Sequence, residues 1–78
     1  MPAVKVYTRT TCGPCRTLKH WLKLKNVPFT EVNIDDDPRL MDEVIAKSGY
    51  QMVPMIEVGG EVIISGLNLP LLSNLLML

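Results

Sequence analysis

Cysteine is scarce in this chain of 78 residues, and with only two of them no framework of structural disulfides can be built. Histidine occurs once, which leaves too few soft ligands for an ordinary four-ligand zinc site. Net charge is absent as well: 8 basic side chains balance 8 acidic ones, so the electrostatic case for nucleic acid or an anionic membrane as a partner is missing. No apolar run approaches the roughly 18 residues of a membrane span. The opening stretch Met1-Pro2-Ala3-Val4-Lys5 lacks the charged region and apolar run of a secretory signal. An apolar fraction of 47% then predicts one soluble domain over residues 1–78, monomeric and placed in the reducing cytoplasm.

What is present is concentrated in Cys12-Gly13-Pro14-Cys15. The pair stands where a strand pattern, Ala3 to Thr8, gives way to a helix pattern from Gly13 to about Lys25. A thiol at a helix start meets unpaired backbone N–H groups and the positive end of the helix dipole, both of which favour the thiolate. Cys15, Leu18, Trp21 and Leu22 recur at helical spacing and form the apolar face. Arg16, Lys19, His20 and Lys23 make a basic stripe, read either as a solvated face or as a docking surface for an acidic reductase.

Beyond Asn26-Val27-Pro28, the stretch Phe29 to Ile34 alternates as a second strand. Asp35-Asp36-Asp37-Pro38 signals a helix start, with an Asp as N-cap and Pro in the first turn. Leu40, Met41, Val44 and Ile45 form that helix's buried stripe, and Gly49 ends it. Val53 to Val58 and Glu61 to Ser65 flank Gly59-Gly60 as a hairpin with a two-residue turn. A leucine-rich helix follows from about Leu69 to Leu78. Its leucines exceed what one amphipathic face needs, which fits self-association through exposed apolar surface, or equally a fraying or shortened end. The predicted fold is α/β in the order β-α-β-α-β-β-α, a four-stranded mixed sheet flanked by helices, with the first βαβ unit right-handed.

The run Val6-Tyr7-Thr8-Arg9-Thr10-Thr11-Cys12-Gly13-Pro14-Cys15, with Val53-Pro54, Gly59-Gly60 and Ser65-Gly66, resembles the glutaredoxin branch of the thioredoxin superfamily over essentially the whole chain. The Gly-Pro insert is the thioredoxin choice, where ordinary glutaredoxins usually carry Pro-Tyr. Ser65-Gly66-Leu67 followed by Pro70 resembles the Ser-Gly-Phe-x-Pro stretch of NrdH-redoxins, glutaredoxin-shaped proteins that reduce ribonucleotide reductase. Glutathione-binding glutaredoxins carry an Asp in this stretch; here the polar residue is Asn68. Arg9 pulls toward glutathione, because it occupies the place of a basic residue that often meets the glutathione carboxylate.

The expected activity is dithiol–disulfide exchange, with Cys12 as nucleophile and Cys15, one turn inside, as the resolving thiol. No cofactor is expected beyond the redox-active pair itself, and the partners are protein disulfides with thioredoxin reductase or glutathione as the electron source. Gly13 and Pro14 tune the pair. The resemblance implies that Pro54 is a cis proline beside the cysteines, and that Val53 offers its N–H and C=O to an extended substrate segment. Gly66 is included in the substrate site. Tyr7 and Arg9 border the mouth on this reading, while a half-buried sheet position for Tyr7 and a solvated charge for Arg9 stay open. A metal or a cluster bridging two chains is the competing reading of the cysteines. Against a zinc site, His20 lies about 140° around the helix from Cys15.

Overall fold

Alternation along the first strand decides how the layers are assembled. The computed structural model describes residues 2–78. In β1 (Val4–Thr8), Val4 and Val6 enter one apolar cluster while Tyr7 enters another, so the strand buries both faces. β1 is also an interior strand of the four-stranded sheet. The order is β2-β1-β3-β4, with β2 at Thr30–Asn33, β3 at Met55–Val58 and β4 at Val62–Ser65. β1 pairs parallel with β2 and antiparallel with β3; β3 pairs antiparallel with β4.

The larger cluster joins Val4, Val6, Ile56, Val58 and Ile64 of the sheet to Leu18 and Leu22 of α1 (Gly13–Leu24) and Leu72 of α3 (Leu69–Leu75). The smaller gathers Tyr7, Ile34, Val44 and Met55 beneath α2 (Arg39–Ser48). Helices thus cover both faces, as the mixed α/β pattern predicts, and Trp21 packs against the larger cluster.

Several boundaries differ from the sequence reading for identifiable reasons. β2 stops at Asn33, because Ile34 turns inward to a buried position and residues Ile34–Asp36 form a short 3-10 turn. The hairpin register pairs Val58 with Val62, so its turn has three residues, Gly59, Gly60 and Glu61, rather than two. The N-cap position of α2 falls on Pro38, which brings no side-chain cap, rather than on an Asp; Asp37, one residue earlier, accepts the Arg39 N–H at 2.9 Å. Gly49 sits at φ +81 past α2, where a side chain would be strained. Ile45 is only half-buried, so the α2 contact rests on Val44 with Leu40 and Met41 beside it. In the leucine-rich end Leu72 and Leu76 are buried, while Leu71, Met77 and Leu78 are exposed.

Candidate active site

The strand directions bring four chain segments to one end of the sheet. β1 ends at Thr8, whose partner is Asn33 at the end of β2. β3 runs the other way, so Pro54, just before Met55, lies at this same end. Ser65 faces Met55, which carries Gly66 here as well. The loop from Arg9 to Thr11 leads from Thr8 directly into α1.

Cys12 is the N-cap of α1, half-buried, with extended backbone (φ −151, ψ 106). Cys15 is fully buried one turn later, and the two form a disulfide with Cα atoms 5.2 Å apart. The Cys15 N–H donates to Cys12 Sγ at 3.1 Å. A backbone donor held by the first turn of α1 is of the kind that favours negative charge on a sulfur, and here it is directed at Cys12 and not at Cys15. Pro14 removes another first-turn N–H, leaving this one as the principal donor to the sulfur. Gly13 and Pro14 are exposed, and a methyl group built on Gly13 would meet nothing within 4 Å.

The pre-cysteine loop is latched to the far side of β2. Asp35 accepts the Thr10 N–H at 2.9 Å and pairs with Arg9 at 3.5 Å. Asn33 donates to the Thr10 hydroxyl at 3.1 Å and accepts the Asp35 N–H at 2.9 Å. The Thr10 N–H holds the Asp35 carboxyl below its ordinary range, with Arg9 adding to the effect. Asp35 is therefore an anchor of the loop that presents Cys12, and Asp37 is the aspartate that meets the start of α2. Nothing local in the sequence announces this, since Thr10 and Asp35 are 25 residues apart. A depression of about 430 Å3 beside the latch is lined by Arg9, Thr10, Lys19, Glu31, Asn33 and Asp36, with neither cysteine in its wall.

On the α1 side, buried Thr8 donates to Glu31 at 2.7 Å, and Lys19 reaches the same carboxylate oxygen at 2.9 Å. The Thr8 hydroxyl, then Lys19, hold the Glu31 carboxyl below its ordinary range. A carboxyl lowered by folding adds stability above its unfolded value, about pH 4.3, and that stability disappears as pH falls through the folded value. The melting temperature of the wild type is accordingly expected to fall more steeply between about pH 5 and about pH 3 than that of Glu31→Gln. Equal slopes in scanning calorimetry would show that the pair contributes nothing.

Tyr7 does not border the mouth. Its ring is fully buried in the smaller cluster, and its hydroxyl donates to Glu43 at 2.8 Å and accepts from Lys47 at 3.0 Å, both on α2. Period-two alternation sends it to the sheet face opposite Val6 and the α1 packing. Arg9 opens the loop that leads to Cys12, and its guanidinium is engaged with Asp35. On the opposite side, the Val53–Pro54 peptide bond is cis, and Gly66 donates its N–H to the Pro54 carbonyl at 2.8 Å. Among the described residues, the backbone N–H and C=O of Val53 are not taken by other backbone groups. Asn68, a polar outlier in the sequence, caps α3 by accepting the Leu71 N–H at 3.1 Å. His20 is exposed on α1, and among the described residues no three His, Cys, Asp or Glu side chains gather into a metal-binding group.

A helix-capping cysteine, its buried partner and a thioredoxin-like sheet define a thiol-disulfide oxidoreductase. The sequence profile of the glutaredoxin family matches residues 4–63. The glutaredoxin-like protein NrdH of Lactococcus lactis is 36% identical over 53 residues, covering 68% of this chain and 72% of its own length. Glutaredoxin 3 of Escherichia coli is 36% identical over 61 residues, covering 78% and 74% respectively. The crystal structure of a glutaredoxin from Archaeoglobus fulgidus superposes with a TM-score of 0.85 at 27% identity, over 97% of this chain and 87% of that one. The chain belongs to the glutaredoxin family.

Proposed function

We propose that this oxidoreductase is an NrdH-redoxin-like dithiol electron donor that reduces protein disulfides, ribonucleotide reductase among them. Cys12 at the cap of α1, holding the Cys15 N–H with Cys15 buried behind it, is the observation that carries the reading. The Cys12 thiolate attacks one sulfur of the substrate disulfide; that bond breaks, a mixed disulfide forms, and the departing thiolate takes a proton from water. Cys15 loses its proton and attacks Cys12 Sγ, which expels the second substrate thiol and closes the Cys12–Cys15 disulfide. Two electrons have then passed to the substrate, and an external dithiol reductant returns them. Val53 holds the substrate backbone during exchange, with Pro54 and Gly66 shaping its seat. The chain acts as a monomer in the cytoplasm, with no cofactor beyond its cysteine pair and no nucleic acid or membrane partner.

Thioredoxin reductase as electron source is favoured by Asn68, which carries no negative charge and whose carbonyl is spent on capping α3. The rival reading, reduction by glutathione, draws on the likeness to glutaredoxin 3 and on Arg9 in the loop before Cys12. Turnover of a protein disulfide is expected with NADPH and thioredoxin reductase, and at least about tenfold more slowly with millimolar glutathione and glutathione reductase. The reverse ranking in an NADPH-consumption assay would replace this reading with the glutathione-dependent one.

A further inference from the structure

The two sides of the active-site mouth differ sharply in charge. Arg9, Arg16, Lys19, Asp35 and Asp36 belong to the α1 and β2 side, whereas residues 48–56 and 62–78 contain no charged side chain at all. On that uncharged side Met52 and Leu67 are large apolar residues left 44% and 41% exposed. Met52 lies against Gly66, the residue before Leu67: a Cβ placed on Gly66 would stand 3.2 Å from Met52 Sδ, and the Gly66 N–H donates to the Pro54 carbonyl. Gly66, at φ +84, thus leaves room for the Met52 thioether to lie across it, next to the open backbone of Val53.

Building on the proposed pairing of substrate with Val53, we infer that Met52, supported by Leu67, is a specificity-determining residue that selects disulfides whose neighbouring residue is apolar. A strand laid along Val53 projects alternate side chains to either side. One of them meets the Met52 and Leu67 side, whose own segments carry no charge to partner an acidic or basic group. An unbranched thioether adapts to side chains of different shape, so the selection is for apolar character rather than for one residue. A charged neighbour loses water there and gains no partner.

The test uses two synthetic disulfide-bonded peptides differing only in the residue beside the cysteine, Leu in one and Glu in the other, together with bis(2-hydroxyethyl) disulfide. Reduced protein is mixed with each, and the second-order rate constant is measured. Wild type is expected to favour the Leu peptide by about tenfold, Met52→Leu to keep that preference, and Met52→Lys to erase or invert it. Equal rates for the two peptides with wild type, or a preference unmoved by Met52→Lys, would overturn the inference while leaving the dithiol mechanism standing. Failure of wild type to reduce any of the three disulfides would overturn both.

Discussion

Cys12→Ser will reduce protein-disulfide reductase activity to background, a loss on the order of a thousandfold or more for removal of a covalent nucleophile. Cys15→Ser will instead stall after one exchange, with the substrate covalently attached to Cys12. The asymmetry follows from burial and donor placement. Cys12 is the half-exposed sulfur that holds a backbone N–H, and Cys15 has no exposed surface with which to meet a substrate. Non-reducing electrophoresis and intact mass should show the Cys15→Ser adduct, cleavable by dithiothreitol. An adduct on Cys12→Ser at comparable yield would reverse the two roles.

Tyr7→Ala is expected to cost about 3–5 kcal/mol, the range for deleting a buried aromatic side chain. Set against the 5–15 kcal/mol typical of a whole domain, and the lower part of that range for one this small, much of the population would be unfolded at ambient temperature. Beyond the cavity, the change removes the group to which Glu43 and Lys47 both bond, and over whose ring Lys5 and Lys47 sit at 5.1 and 5.4 Å. Tyr7→Phe keeps the ring and deletes only the hydroxyl, at about 1 kcal/mol. Glu43 and Lys47 still reach each other at 3.3 Å. Its disulfide reductase rate should match wild type within about twofold, since the ring belongs to the α2 side of the sheet. A large loss of activity in a folded Tyr7→Phe protein would return Tyr7 to the mouth.

The architecture was legible because its signals are periodic and local: alternation in β1, the spacing of Leu18 and Leu22, and glycines at the hairpin and after α2. Boundaries slipped where tertiary burial outweighed a local pattern, as at Ile34, which an alternating strand would have continued through. The cysteine pair was legible from its spacing at a strand-to-helix junction. Tyr7 stayed open between the mouth and a sheet position, and the sheet position holds, because alternation says that a residue faces one side of a sheet without saying which side holds the chemistry. The latch of Thr10 to Asp35 and Asn33, and the sharing of Glu31 by Thr8 and Lys19, join residues distant in sequence and leave no local trace. Asp35 was hidden further by two neighbouring aspartates, all three of which read as cap candidates, whereas the N-cap position falls on Pro38. Asn68 explained itself only once α3 was seen to begin beside it.

The fastening of α2 through Tyr7, Glu43, Lys47 and Glu57 lies across the sheet from the helix that carries the cysteines. Four hydrogen-bonded strands stand between them like a bulkhead. The α2 flank still touches the mouth at one place, because Val53 leans on the cluster that Val44 of α2 and Tyr7 share. A change in how that helix is seated would therefore be passed on to the substrate's berth and not to the cysteines' own helix.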